Sequence, residues 1–91
     1  MAEMGERATL LEFPCDFPVK IMGEARDDFA DTMLEVVLRH APDFAAASME
    51  MKASRNGKYL SLTCTITATS QAQLDDLYRE ISAHPLVAMA L

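Results

Sequence analysis

The sequence predicts an α+β sandwich in which two helices cover one face of a four-stranded antiparallel sheet. Apolar and polar residues alternate without a break through residues 59–69, which is typical of a strand with one buried face. Apolar residues recur at three- and four-residue steps in residues 27–41 and 71–83, which is typical of amphipathic helices. Three shorter runs supply the remaining strands, at residues 17–22, 47–54 and 86–91.

The first half of the chain contains the first strand and the first helix. The inward face of that strand carries Phe17, Val19 and Ile21. We expect Gly23 to break the strand and to permit a tight turn into the helix. The helix ends before Pro42, because proline disfavours helical geometry in the residue that precedes it. Glu35 and Arg39 lie four residues apart on this helix, so we expect them to form an ion pair.

The second half of the chain predicts a hairpin followed by a capped helix. The second strand alternates polar residues with the apolar Met49, Met51 and Ala53. Asn56 and Gly57 then favour a tight turn, so the second and third strands are expected to pair. Ser70 and Gln73 have the spacing of a helix capping box, and Pro85 ends the helix that follows.

The resulting order is strand, helix, strand, strand, helix, strand, which is the ferredoxin-like βαββαβ arrangement. Right-handed crossovers place both helices on one face of the sheet. Strands one and three are then central, and strands two and four are edges. The third strand turns Leu62, Cys64 and Ile66 towards the helices, so Ser61, Thr63 and Thr65 lie on the open face of the sheet.

The chain of 91 residues predicts one domain with a short extension. We interpret residues 1–14 as an N-terminal extension and residues 15–91 as the ferredoxin-like domain. The extension includes an apolar docking segment, Leu10–Phe13, which is too apolar to be left in water. It is expected to fold back over an edge or the open face of the domain, or to contact a partner.

Net charge and hydropathy exclude several classes of partner. A formal charge of -6 and a pI of about 4.7 disfavour nucleic acid and anionic membranes. No apolar run is long enough to span a bilayer, and the N-terminus lacks the layout of a signal peptide. We therefore expect a cytoplasmic protein in which Cys15 and Cys64 are reduced.

The cysteines and histidines do not form a recognisable reactive set. Metal carriers of this fold use a Cys-x-x-Cys in the first loop, but residues 23–26 contain neither Cys nor His, so no metal or cofactor is expected. Cys64 is interpreted as a packed thiol, and Cys15 has no adjacent base to activate it. His40 and His84 end the two helices and are interpreted as structural imidazoles that are bonded to nearby carbonyls or favoured by the helix C-terminus.

Two activities found on this fold are disfavoured by particular residues. Acyl-phosphate hydrolysis uses an arginine in a glycine-rich loop after the first strand; Arg26 lies near that place, but its loop is not glycine-rich. RNA binding needs stacking aromatics on the central strands, where Ser61, Thr63 and Thr65 stand instead. We therefore expect a protein that is not an enzyme.

Four segments carry a resemblance to a known family. They are LLEFPCDFPVKIMG at Leu10–Gly23, VVLRHAP at Val36–Pro42, NGKYLSLTCTITATSQAQLDDLY at Asn56–Tyr78, and HPLVAMAL at His84–Leu91. In this order they resemble the YbeD family of small bacterial proteins of unknown function. The resemblance implies a ferredoxin-like fold and a likeness to ACT-type regulatory domains, which bind amino acids beside metabolic enzymes. The association of the family with lipoate-related genes in some bacteria implies a contextual link to lipoate metabolism.

The preferred hypothesis is a non-enzymatic regulatory or interaction domain that binds a small metabolite or a protein partner. In ACT-like domains ligands lie near the turn after strand one, which is where Gly23 stands. The candidate binding residues are Gly23, Arg26, Ser61, Thr63 and Thr65. Edge strands also leave room for a homodimer. The alternatives are a small enzyme that uses Cys15 or His40, and a structural subunit of an oligomer.

Overall fold

The computed structural model describes residues 12–91 and contains the predicted elements in the predicted order. The strands and helices are β1 (Cys15–Glu24), α1 (Phe29–His40), β2 (Glu50–Ala53), β3 (Tyr59–Ala68), α2 (Gln71–Ala83) and β4 (Val87–Ala90). One turn of 3-10 helix, Ala46–Ser48, precedes β2. The βαββαβ prediction is therefore confirmed.

The four strands form one antiparallel sheet in the order β2-β3-β1-β4. The two central strands pair along ten residues each, from Cys15 opposite Ala68 to Glu24 opposite Tyr59. The edge strands are short, with four residues each. The predicted division into central and edge strands is confirmed.

The core lies between the sheet and the two helices. It is closed to solvent because β1, β3 and both helices contribute their apolar faces, with 0% exposure at Phe29, Ile21 and Leu77. The other fully buried side chains of large volume are Met33, Leu62, Ile66, Ile81, Val19, Val36, Val37 and Cys64. Burial of this apolar surface is the main favourable contribution to folding.

The sequence led us to expect that Gly23 would end β1, but it does not. The strand continues to Glu24, and the N–H of Ala25 still donates to the carbonyl of Lys58 at 2.8 Å. Gly23 also lacks the positive φ that a tight turn would require; Gly57 in the β2–β3 hairpin has it instead, at 73°. What changes at this point is the pairing with β4, whose register shifts between Met22 and Gly23.

The second strand is shorter and more exposed than the alternation predicts. It begins at Glu50 rather than residue 47, because Ser48 donates from both its N–H and its hydroxyl to the carbonyl of Ala45 in the 3-10 turn. All four residues of β2 are exposed, including the apolar Met51 and Ala53. The helices of this chain do not reach the β2 edge.

The docking segment Leu10–Phe13 is described only in part. Phe13 is half-buried and packs against the core, which lies on the helix side of the sheet, so this residue does not cover the open face. Leu10 and Leu11 lie outside the described residues. Within residues 12–91, neither helix has the length and apolar character that crossing a membrane requires.

Candidate functional site

A cavity of about 290 Å³ lies where the end of β1 meets the loop between α2 and β4. Its wall is formed by Glu24, Arg26, Tyr59 and the four residues 85–88. The cavity therefore combines two charged side chains and one phenol with an apolar segment, residues 85–88, which comprises the end of the α2–β4 loop and the start of β4. Polar and apolar groups therefore share the lining of this cavity, which suits a small polar ligand better than an apolar one.

The central strand pairing places one half of this site. Glu24 is the last residue of β1 and lies opposite Tyr59, the first residue of β3. Just beyond the strand, the N–H of Arg26 donates to the carbonyl of Glu24 at 2.8 Å, which turns the chain sharply. The side chains of Glu24, Arg26 and Tyr59 therefore line one end of the sheet.

The loop after α2 forms the other half of the site, and His84 holds it. The Nδ1 of His84 accepts a hydrogen bond from the N–H of Leu86 at 3.1 Å, and its carbonyl accepts one from Val87 at 3.1 Å. Nδ1 is then the unprotonated nitrogen of this ring. The ring of His84 thus accepts from a backbone N–H, whereas a bond to a carbonyl was expected.

Gly23 shapes the cavity by its small size rather than by its backbone freedom. A Cβ at this position would lie 2.3 Å from the carbonyl oxygen of Leu86 and 2.6 Å from the ring of Phe29. Glycine is required here because β1, the Leu86 loop and α1 approach each other so closely. Gly23 is therefore a neighbour of the cavity and does not line it.

Arg26 and Glu24 give the cavity two charges of opposite sign. The guanidinium of Arg26 donates two hydrogen bonds to the carboxylate of Asp28, at 3.1 and 3.2 Å, and both side chains are more than half exposed. An exposed pair of this kind contributes little to stability, so a second carboxylate can compete for the guanidinium at small cost. The site can thus accept an anionic group beside Arg26 and a cationic group beside Glu24.

The remaining candidates, Ser61, Thr63 and Thr65, lie on the open face of β3, as predicted. Ser61 and Thr63 line a second cavity of about 380 Å³. The rest of its wall is formed by Lys20 of β1 and by Glu50, Met51 and Lys52 of the edge strand β2. Thr65 is exposed, lies opposite Pro18, and lines neither this cavity nor the one at Arg26. The five predicted residues therefore do not form one site.

Sequence reasoning missed Glu24, Tyr59 and the segment 85–88, which joins α2 to β4. A signal for the first two was present, because antiparallel pairing of the predicted first and third strands brings the end of one beside the start of the other. Nothing in the local pattern indicated that the loop before β4 closes the cavity. That contact depends on how α2 lies across the sheet.

Cys64 is placed as the sequence predicted, whereas Cys15, which precedes the predicted first strand, is the first residue of β1. Cys64 is fully buried in β3, and burial raises the pKa of its thiol from 9.0 to about 11. Cys15 is half-buried at the start of β1 and packs against the core. Within residues 12–91, no cluster of three or more His, Cys, Asp or Glu residues could hold a metal ion.

The end of α1 differs from the expectation in two contacts. His40 was expected to bond to nearby carbonyls, but its Nε2 lies 2.7 Å from a carboxylate oxygen of Glu80 on α2. Arg39 was expected to pair with Glu35, but it donates to the other oxygen of Glu80. The Arg39 hydrogen bond first, and then the one with His40, lowers the pKa of Glu80. Glu80 is therefore one residue that ties the two helices together.

The fold and the cavity define a class: a small α+β domain of the ferredoxin-like type, with no catalytic set recognised among the described residues. A model of one family, described as "Protein of unknown function (DUF493)", matches residues 8–91. The chain belongs to this family of small bacterial proteins, which confirms the resemblance found in the sequence.

Curated relatives match the chain along nearly its whole length. A UPF0250 protein of Nitrosomonas europaea is 53% identical over 83 residues, which cover 91% of this chain and 95% of the relative. A UPF0250 protein of Janthinobacterium sp. is 47% identical over 91 residues, and the match covers 100% of this chain and 100% of the relative. These names state a family and no activity.

Two solved structures share the fold at low sequence identity. The solution structure of an H. pylori protein has a TM-score of 0.72 at 18% identity and covers 89% of this chain and 85% of its own. The ACT domain of GTP pyrophosphokinase from Chlorobium tepidum has a TM-score of 0.63 at 15% identity and covers 84% of each chain. At these identities the likeness shows an ACT-like fold alone.

Proposed function

We propose that this protein is a non-enzymatic regulatory domain that binds a small zwitterionic metabolite of the amino-acid type in the cavity at Arg26. The observation that carries the proposal is the pair of opposite charges, Glu24 and Arg26, on the wall of one cavity. A guanidinium holds a carboxylate through paired hydrogen bonds, and a carboxylate holds an ammonium group. The apolar segment 85–88 faces the side chain of the ligand.

The volume of the cavity supports a ligand of this size. About 290 Å³ lies at the lower end of the range of small-molecule sites, so it fits a single amino acid better than a nucleotide. The ACT-like fold of the chain supports the same proposal, since the sequence resemblance implied amino-acid binding near this turn.

The positions of the nucleophilic and basic side chains support a role without catalysis. Cys64 is sealed in the core with a raised pKa, which removes its thiolate at neutral pH. His40 is engaged with Glu80, and His84 holds the Leu86 loop. Cys15 packs against the core at the start of β1.

A ligand screen tests the binding proposal. Thermal unfolding is followed with millimolar amino acids, lipoate and short fatty acids, and each hit is titrated while backbone amide NMR shifts are recorded. We expect one zwitterion to raise the melting temperature and to move the amides of residues 24–26 and 85–88. A ligand at about 100 times its dissociation constant adds about 2.7 kcal/mol to the free energy of unfolding.

Matched variants locate the site. Arg26→Gln and Glu24→Gln are each expected to weaken binding at least about tenfold, because each removes one charged contact with the zwitterion. Arg79→Gln is the control, since Arg79 pairs with the exposed Asp76 much as Arg26 pairs with Asp28. If the screen yields no ligand, or if all three variants bind alike, the proposal is wrong.

The enzyme alternative has its own test. Cys15→Ala and His40→Ala are introduced separately into a strain that lacks the gene, and the phenotype is compared with the null strain. We expect both variants to complement fully, because neither side chain has a role in binding. Loss of complementation by a variant that folds with wild-type stability would favour the enzyme.

A further inference from the structure

The outer edge of β2 has features of an interface. Among the described strands, β2 pairs with β3 alone, so its other side has no strand neighbour within residues 12–91. Exposed strand edges carry unpaired N–H and C=O groups that can pair with another chain. The exposed fraction of Met51, in the middle of this edge, is 61%.

The side chains of β2 follow the pattern of a covered strand. Met51 lies opposite the fully buried Leu62, so both side chains belong to the helix side of the sheet. Ala53 is on this side too, while the charged Glu50 and Lys52 are on the open face. The alternation thus provides an apolar row that the helices of this chain leave uncovered.

The hydrogen bonds of the hairpin show which backbone groups face outward. The N–H of Ser54 donates to the carbonyl of Tyr59 at 2.8 Å, so Ser54 points its backbone groups towards β3. In an antiparallel strand this direction alternates with every residue. Glu50 and Lys52 therefore also bond to β3, whereas Met51 and Ala53 point their N–H and C=O groups outward.

We propose that β2 pairs with β2 of a second copy of this chain, antiparallel, about a two-fold axis at Met51. This register places Glu50 opposite Lys52 of the second copy, and Lys52 opposite its Glu50. These are positions without direct hydrogen bonds, where facing side chains are closest. Opposite charges in such cross-strand pairs are stabilising, and like charges are destabilising.

The neighbouring symmetric registers are disfavoured by charge. A two-fold axis at Lys52 sets two lysines opposite each other, and one at Glu50 sets two glutamates opposite each other. The register centred on Met51 also aligns the outward backbone groups. The N–H and C=O groups of Met51 bond to those of Met51 in the second copy, and the N–H of Ala53 donates to the carbonyl of Met49 in the second copy. The N–H of Met49 is already engaged with Ala46, so the ladder ends there.

The paired edges create one continuous eight-stranded sheet, which covers the exposed Met51 side chains with each other. This interface goes beyond the proposed metabolite site, because it uses the free edge of the sheet and none of the charges on the Arg26 cavity. Failure of one proposal therefore leaves the other standing.

Sedimentation velocity over a series of concentrations tests the dimer, with proline variants at each edge. Met51→Pro removes an outward N–H without breaking the ladder to β3, and we expect it to raise the dissociation constant at least about tenfold. Ala90→Pro is the matched control. Leu91 exchanges both backbone hydrogen bonds with Lys20, at 2.8 and 3.2 Å, so Ala90 points its N–H away from β1 at the other edge.

Charge variants test the register. Glu50→Lys and Lys52→Glu alone each set like charges opposite each other twice, so each is expected to weaken self-association about tenfold. An equimolar mixture of the two restores both opposite-charge pairs and is expected to form a heterodimer. The double variant Glu50→Lys/Lys52→Glu is expected to dimerise as the wild type does.

Circular dichroism and thermal unfolding of each variant separate loss of association from loss of folding. A wild-type protein that stays monomeric up to millimolar concentration overturns the proposal. So does a dimer that Ala90→Pro abolishes and Met51→Pro leaves intact. Recovery in the mixture of single charge variants supports it, because a structural defect in each partner would persist when the two are combined.

Discussion

Nε2 of His40, at the end of α1, lies 2.7 Å from Oε1 of Glu80 on α2. The other carboxylate oxygen of Glu80 accepts a hydrogen bond from Arg39. One carboxylate thus receives two side chains from the last turn of the neighbouring helix. Arg39 is the larger cause, and His40 the smaller, of the lowered pKa of Glu80.

We expect Glu80→Gln to lower the free energy of unfolding at neutral pH by about 1 kcal/mol, because the pair is partly exposed and screened. A carboxyl group with a lowered pKa stabilises the folded state above its unfolded pKa, near 4.5, and this stabilisation is lost as the pH falls through the lowered pKa. The difference between wild type and variant should therefore shrink below about pH 4. Urea unfolding at several pH values measures it.

The control for this prediction is Glu35→Gln. Glu35 lies four residues before Arg39 on the exposed side of α1 and was the partner expected from the sequence. Its variant should change stability by no more than a few tenths of a kcal/mol. Equal losses in the two variants would contradict the assignment of Glu80 as a residue that ties the helices.

Gln73 has a similar role at the other end of α2. Its N–H donates to the hydroxyl of Ser70 at 3.0 Å, and its side-chain oxygen accepts from the N–H of Thr69 at 2.6 Å. Its side-chain nitrogen donates to the carbonyl of His40 at 2.7 Å. The residue therefore caps α2 and satisfies a carbonyl at the end of α1.

We expect Gln73→Ala to cost about 1 to 2 kcal/mol, because it removes the side-chain half of the cap and the bond between the helices. Chemical unfolding measures the loss. Gln71→Ala is the matched control: Gln71 donates to the exposed Asp75 at 3.0 Å, and such a surface pair is worth a few tenths of a kcal/mol. Similar losses at the two positions would show that the bond to His40 contributes nothing.

The capping box shows how far local sequence patterns can predict this structure. The spacing of Ser70 and Gln73 was enough to predict where α2 begins, because the cap satisfies N–H groups within one turn. The contacts of Gln73 and Glu80 with the other helix could not be predicted in this way. They depend on how two amphipathic helices pack. The hydrophobic period indicates which face of each helix is buried, but not which residues of one helix lie beside which residues of the other.

Gly23 leads to a prediction about close packing. In Gly23→Ala the new Cβ meets the carbonyl oxygen of Leu86 at 2.3 Å and the ring of Phe29 at 2.6 Å, so the β4 loop or α1 must move. We expect a loss of about 1 to 3 kcal/mol in urea unfolding. The ligand cavity beside Leu86 should be distorted as well, which amide shifts of residues 85–88 would show.

A second glycine separates packing from backbone conformation. Gly57 has a φ of 73°, and a Cβ there would meet nothing within 4 Å. Gly57→Ala should therefore lose about 1 kcal/mol through backbone strain alone and leave the amides of residues 85–88 unshifted. If Gly23→Ala matched Gly57→Ala in both measurements, the steric account would be wrong.

The candidate site was predictable in part, for a physical reason. Strand order and antiparallel pairing determine that the end of β1 meets the start of β3, so Arg26 could be placed near one end of the sheet from the sequence. The role expected for Gly23 was wrong because glycine tolerates close approach as well as positive φ, and the sequence does not distinguish the two. The segment 85–88 needed the tertiary structure.

The buried thiol of Cys64 makes the stability of the fold depend on pH in the alkaline range. Burial raises the pKa of its thiol from 9.0 to about 11, so the unfolded chain releases this proton first as the pH rises. The neutral thiol therefore leaves stability unaffected below about pH 9, and stability declines between about pH 9 and pH 11. Burial also raises the pKa of Tyr78 above its ordinary value of 10.0. Ionisation of this phenol therefore adds a further decline in stability above about pH 10.

The difference between wild type and Cys64→Ala isolates the contribution of this thiol. At neutral pH the variant should be less stable, because it leaves a small cavity in β3. By about pH 11 the wild type should have lost about 2 kcal/mol more than the variant. Cys15→Ala, which changes the half-buried thiol, should retain the wild-type decline. Parallel stability curves for wild type and Cys64→Ala in urea unfolding from pH 7 to 11 would mean that Cys64 titrates alike in the folded and unfolded chains.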